Sequence, residues 1–141
     1  MGSPMNAAPQ FKHQEDALAV LYDTGQRRYR RLQPTPERPG SAELTGGSGW
    51  RISERPLEDI SLGGMSLRLR FWEGGRVTVG DMVSIIIDLG GRRHALKGKA
   101  VHLSRVRQGW TADWRVGIEL CEDRSLQSFW PVLVAYLLSI A

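Results

Sequence analysis

The stretch GMSLRLRF, residues 64–71, sets Met65, Leu67, Leu69 and Phe71 against Ser66, Arg68 and Arg70 in strict alternation. A period of two places the apolar set on one face of a strand and the polar set on the other, so this segment is a half-buried β-strand. Its neighbours repeat the theme at short spacing. SAELT reads as a short strand, and RISERPLEDI as another in which Pro56 must occupy an edge or a bulge. DMVSIIIDL reads as a strand buried on both sides at its centre and closed by Gly90-Gly91. HALKGKAVHL alternates loosely, RQG at 107–109 turns the chain, and WTADWRVGIEL is the last strand, with Val116, Ile118 and Leu120 on one face. About six short strands joined by glycine-rich turns make a small barrel or sandwich, and the 16 glycines of the chain suit that many turns.

The flanks read differently. Residues 1–13 lack periodicity and are expected to be flexible, with MGSP before Met5 a candidate cloning remnant. EDALAVLYDTG places Leu18, Leu21 and Tyr22 at helical spacing, which predicts a short helix over 14–24 that stops at Gly25. LQPTPERPG is extended and irregular. After Asp123 the period changes to three and four, through Leu126, Phe129, Leu133, Leu137 and Ile140. This predicts a helix capped by Asp123 or Ser125, with Pro131 kinking it or starting its second half. Its apolar stripe packs either on the barrel or on a partner. The resulting division is residues 1–25, a domain over 26–121, and a terminal helix over 122–141.

At 141 residues the chain can bury a core without disulfides or metal. Its 19 basic and 15 acidic residues leave a net charge of +4, a bias toward anionic partners such as nucleotides, nucleic acid or an acidic membrane surface. The single cysteine, Cys121, suits a reducing cytoplasm. The longest apolar run, 129–140, is too short to span a bilayer. His13, His94 and His102 lack metal-ligand spacing, no G-x-S-x-G frame appears, and Glu58 and Asp59 on a strand face opposite ways. Catalysis is therefore not expected.

Anion binding fits better. QRRYRR, residues 26–31, crowds Arg27, Arg28, Arg30 and Arg31 around Tyr29, the outer pair forming R-x-x-x-R. Further on, Asp59-Ile60-Ser61-Leu62-Gly63-Gly64 reads D-x-S-x-x-G. On an extended strand Asp59 and Ser61 share a face, and Gly64 permits an unusual backbone angle or close approach of a ligand. Two guanidinium forks beside a carboxylate and a hydroxyl suit a guanine-containing phosphate. Each residue also has a plainer role open to it. For Arg28 and Arg30 that role is as solvated charges or as ties holding the arm, for Asp59 and Ser61 as turn formers, and for Gly64 as a glycine at the start of a strand. Trp72, Trp110 and Trp114 read as barrel packing rather than stacking platforms, Trp50 beside GGSG as exposed, and Trp130 as part of the terminal helix's apolar side.

R-x-x-x-R followed by D-x-S-x-x-G, with a closing strand Arg115-Val116-Gly117-Ile118-Glu119-Leu120, resembles the PilZ domain, a bacterial receptor for cyclic di-GMP. The resemblance covers about residues 26–121 and extends to the final helix. It implies a mainly β fold, a six-stranded antiparallel barrel with a short N-terminal helix and a C-terminal helix. It also implies that Arg27 and Arg31 grip guanine and phosphate while Asp59, Ser61 and Gly64 line the floor, with Arg28, Arg30 and Gly63 as secondary candidates. The segment with Pro34, Pro36, Pro39 and GGSG departs from the pattern and predicts a short or displaced first strand. Gln26 before the arm leaves open one ligand or a stacked pair.

The implied activity is that of a non-enzymatic receptor, without cofactor, that signals to a downstream protein and has dimerisation open to it. On this reading mutual repulsion keeps the four arginines mobile until a doubly anionic ligand orders them. The competing reading is a small basic barrel that binds single-stranded nucleic acid. It is disfavoured because the basic residues cluster in one arm rather than along a groove.

Overall fold

The computed structural model describes residues 18–26 and 28–141. The expectations for residues 1–17, and for Arg27, lie outside the described residues. Six strands close a barrel: β3 (Gly40–Gly46), β4 (Arg51–Ile60), β5 (Gly64–Leu69), β6 (Met82–Leu89), β7 (Arg92–Gln108) and β8 (Thr111–Leu120). Their order around the barrel is β3-β4-β5-β8-β7-β6, every pairing is antiparallel, and β6 returns to β3. Alternate residues fill the interior: Met65, Leu67 and Leu69 from β5, Val83, Ile85, Ile87 and Leu89 from β6, Val116, Ile118 and Leu120 from β8. Only one face of β6 is buried; Ile86 stays half-exposed on the outside, so the continuous apolar run is an alternating strand with an aliphatic outer residue.

The proline-rich approach neither shortens nor displaces the first barrel strand. β3 has 7 residues and pairs with both β4 and β6. Pro56 is tolerated because β4 is irregular on either side of it, with register shifts against β3 and again against β5. β7 carries a bulge of its own at Val101. Leu96 and Ala100 point inward before it, Leu103 packs on the core after it, and Val101 is left outside. The shift of phase explains why the sequence alternates only loosely there.

Phe71 does not complete the β5 stripe. The strand ends at Leu69 and Phe71–Gly74 form one helical turn, α1, which exposes Phe71. Glu73 anchors α1 by accepting from Arg70 N at 2.9 Å and from Arg55 Nε and Nη2 at 3.2 and 2.6 Å. Trp50 is buried rather than exposed: its indole lies on Gly46 and donates to Asp81 Oδ2 at 2.8 Å.

The terminal helix α2 (Arg124–Ile140) starts at Asp123, whose Oδ1 accepts from Leu126 N at 3.1 Å, and runs on through Pro131. Leu126, Phe129, Leu133 and Leu137 are buried against the barrel, with Phe129 stacked on His94 of β7 at 4.8 Å. Tyr136 Oη donates to Arg38 O at 2.6 Å and so ties the proline-rich segment down. The stripe is thus satisfied within the chain. At the other terminus residues 18–20 are helical, but the helix stops short of 24. Tyr22–Asp23 (β1) pairs instead with Arg28–Tyr29 (β2). The turn is held by Gln26 N donating to Asp23 O and Oδ1, and the two tyrosine rings meet edge to face at 5.7 Å. Among the described residues no helix is long and apolar enough to cross a membrane.

Candidate functional site

The two sequence motifs meet at one end of the barrel. Leu32 is buried and exchanges both backbone hydrogen bonds with Ile60 at 2.9 Å, which fixes the arm beside the end of β4. Arg31 Nη1 then donates to Asp59 Oδ1 at 3.1 Å, joining residues 28 apart in sequence. The local reason is the bulge in β4. Leu57 pairs with inward Leu67, whereas Asp59 pairs with Ser66, which is in the opposite phase of β5, so the extra residue turns the Asp59 carboxylate away from the barrel interior. The Arg31 side chain is 57% exposed and that of Asp59 21%, leaving the guanidinium's remaining donors accessible.

Tyr29 makes the second contact between arm and motif. Its ring rests on Gly63, where a Cβ would meet Tyr29 Cδ2 at 2.9 Å. Arg28 and Arg30 are exposed. Leu21 is fully buried and its carbonyl accepts from Arg30 N at 2.8 Å. From Leu21 onward the described part of the arm packs on the barrel through the buried Leu21 and Leu32, while Arg28 and Arg30 stay in solvent, which screens their charges.

Ser61 acts within the turn. Its buried Oγ accepts from Gly63 N and Gly64 N, each at 3.2 Å, and Ser61 N donates to Gly64 O at 2.8 Å. Gly64 is needed for close strand approach, since a Cβ there would collide with Ile118 O on β8. Asp59 and Ser61 thus differ: one presents its side chain outward, and the other shapes the backbone beside it.

Sequence reasoning missed several neighbours. Ser66, across from Asp59, is buried, and its Oγ has no hydrogen-bond partner among the described residues. Next along the outer face, Glu58 accepts from Arg115 Nε and from Arg68 Nε at 3.2 Å, and Arg68 also reaches Asp113 at 3.4 Å. The Arg115 hydrogen bond holds the Glu58 carboxyl below its ordinary value, against the opposing effect of burial, with the charges of Arg115 and Arg68 adding to it. Glu58 and Asp59 therefore do not face opposite ways; the bulge brings both to the arginine-rich exterior. Alternation alone gives no signal of this.

A cleft of about 870 Å³ opens beside the turn, lined among others by Tyr29, Gly63, Lys99, Glu119, Gln127 and Trp130. Its size is that of a small-molecule site, and its walls come from the arm, the turn, the outer face of the barrel and α2. Arg31 and Asp59 stand outside its lining. No group of three or more His, Cys, Asp or Glu side chains able to hold a metal occurs among the described residues.

No curated protein sequence matches this one. Solved structures resemble it in fold. The PilZ domain of YcgR from Escherichia coli, determined with c-di-GMP, has a TM-score of 0.58 at 15% identity, over 81% of this chain and 93% of that one. MrkH of K. pneumonia, described as a c-di-GMP-dependent transcription regulatory factor, gives 0.61 at 11%, over 79% of this chain and 52% of its own. The PlzA protein of Borreliella burgdorferi, in complex with c-di-GMP, gives 0.57 at 11%, over 90% and 55%. The chain thus spans about half the length of the latter two. Identities this low establish a shared barrel and nothing finer. The sequence itself goes further, because the family model described as PilZ domain matches residues 25–138, most of the length, and the chain belongs to the PilZ domain family.

Proposed function

We propose that this chain is a receptor for cyclic di-GMP that acts by binding rather than by catalysis. The observation that carries this reading is the Arg31–Asp59 contact at 3.1 Å beside the cleft, with Tyr29 laid on Gly63. It brings a guanidinium fork, a carboxylate and a bare backbone turn to one place. Arg31, with Arg27, Arg28 and Arg30, supplies donors for phosphate and for guanine O6 and N7; Asp59 accepts from the guanine N1 and N2 edge. Ser61, Gly63 and Gly64 hold the turn that presents Asp59. Relatives of the same fold that carry c-di-GMP in their structures support the choice of ligand.

The ligand also provides the signal. Its two phosphates offset the charge of the arm, and the β1–β2 hairpin, attached through Leu21 and Leu32, shifts with it. The changed surface then engages a downstream protein in the cytoplasm.

Isothermal titration with cyclic di-GMP, GTP and a single-stranded oligonucleotide tests the assignment. Saturable binding of cyclic di-GMP alone is expected. Arg31→Ala should weaken it by roughly 10–100-fold, the loss of about 1–3 kcal/mol associated with one bidentate contact. Unchanged affinity in that variant would remove the reading at its central residue.

A further inference from the structure

The far end of the barrel carries a surface that the ligand site does not use. β8 runs from Thr111 at the hairpin tip to Leu120 beside the Ser61–Gly64 turn, so its 10 residues separate the two ends. At roughly 3.3 Å per residue the separation is about 30 Å. β5 leaves β8 at the Leu69–Trp114 pair, yet β7 and β8 stay paired out to Gln108 and Thr111. The hairpin therefore projects past the barrel wall. Trp110 at its tip is fully exposed, and beside its base Phe71 and Trp72 are 62% and 50% exposed. These tryptophans are not barrel packing. Trp114, half-buried, is the one that packs: its indole lies on Gly74 and donates to Phe71 O at 3.1 Å, which fixes α1 against the hairpin.

Basic side chains surround these aromatics. Arg70 lies over the Trp72 ring at 5.5 Å, Arg105 over Trp114 at 4.8 Å, and Arg107 is exposed one pair below the tip. The acids nearest in sequence, Glu73 and Asp113, are bound in ion pairs with Arg55 and Arg68. Large exposed aromatics within a rim of positive charge mark a surface for an anionic partner. Their placement decides which one. Stacking of single-stranded nucleic acid uses a positively charged groove that tracks the backbone. Here the aromatics stand on a convex tip and an adjoining helical turn, the shape that enters a flat interface. Trp and Phe seat at headgroup depth while arginine meets anionic phosphates.

We propose that the β7–β8 hairpin tip, together with α1, is a peripheral docking surface for an anionic lipid bilayer. The site is separate from the cyclic di-GMP reading and stands or falls without it. Each arginine near such a membrane is worth roughly fivefold in partitioning.

The test is sedimentation of the full chain with vesicles of phosphatidylglycerol and phosphatidylcholine in equal parts, against vesicles of phosphatidylcholine alone. The expected result is co-sedimentation with the anionic vesicles, with a blue shift of tryptophan emission, and little with the neutral ones. Arg107→Ala should lower partitioning roughly fivefold and Trp110→Ser roughly tenfold or more, with melting temperatures equal to that of the parent because both side chains are in solvent. Trp110→Ser should bind cyclic di-GMP as the parent does, which keeps the two sites' tests apart. A chain that stays in the supernatant with both vesicle types would overturn the proposal. So would a Trp110→Ser variant that sediments like the parent, or Trp110-dependent binding to a single-stranded oligonucleotide without binding to vesicles.

Discussion

Asp59 directs its carboxylate at Arg31, a side chain more than half exposed, so little of the fold's stability depends on their contact. Exposed pairs of this kind contribute about 0–1 kcal/mol. Asp59→Asn should accordingly leave thermal unfolding almost unchanged while weakening cyclic di-GMP by roughly tenfold or more, since the amide no longer accepts fully from the guanine edge. Ser61 behaves in the opposite way. Removing its Oγ takes the acceptor away from the N–H groups of Gly63 and Gly64 in a half-buried turn, at a cost of about 0.5–1.5 kcal/mol for each bond lost. Ser61→Ala should therefore lower both melting temperature and affinity. Calorimetric unfolding beside titration separates the two residues; a Ser61→Ala protein as stable as the parent would show that the hydroxyl is dispensable to the turn. Both side chains are visible in the motif, but which one is turned to the outer surface and which one holds backbone is decided by the bulge before Asp59, and spacing along a strand cannot show a bulge.

Elements were legible where their signal is local. β5 follows from alternation, β4 from its two ends, and α2 from its period and the Asp123 cap. The misread elements owe their form to tertiary contacts. β1 and β2 have 2 residues each, too short for any period, and they stand where the helix was expected to end, with Leu21 fully buried and the Tyr22 and Tyr29 rings meeting edge to face. α1 breaks the β5 stripe at Phe71 because Glu73 finds Arg55, from a strand 18 residues away in sequence. The outer face of β4, β5 and β8 is a similar case, since Glu58 gathers Arg68 and Arg115 across three strands.

That cluster makes a prediction about acid. Glu58 is held below its ordinary value of 4.5, so its ion pairs stabilise the fold fully above that pH. The contribution fades as pH falls below 4.5 toward the lowered folded-state value. Glu58→Gln should flatten the dependence of melting temperature on pH in this acid range without abolishing it, because Glu73, also lowered, keeps its own share. A variant with the parent's full acid sensitivity would show that Arg68 and Arg115 stabilise nothing through Glu58.

At the scale of the whole molecule, the barrel separates an arm-and-turn end from an aromatic end, and β8 connects them as one continuous strand. A closed barrel resists opening, since every strand is paired on both sides and the interior is filled by large buried aliphatics. Change on binding should therefore stay near the ligand. The arm is held to the barrel by the Leu32–Ile60 hydrogen bonds, the exposed Arg31–Asp59 pair, Tyr29 on Gly63 and the burial of Leu21 and Leu32. With fewer backbone hydrogen bonds than a barrel strand it opens at lower free energy than the barrel, and its amides exchange faster. A doubly charged ligand bridging Arg31 to its neighbours adds charge-assisted hydrogen bonds of about 1.5–3 kcal/mol each, enough to slow exchange at those amides by an order of magnitude or more. Amide hydrogen exchange with cyclic di-GMP should accordingly show the largest protection over residues 21–32 and 59–64. It should be smaller over 119–127, where β8 and α2 wall the cleft, and nearly absent over 104–114 at the other end. Uniform protection of all these segments would mean that the ligand stabilises the barrel as a unit. Protection of 59–64 without 21–32 would mean that the ligand binds the turn alone, and movement of the hairpin would have to be given up as the signal.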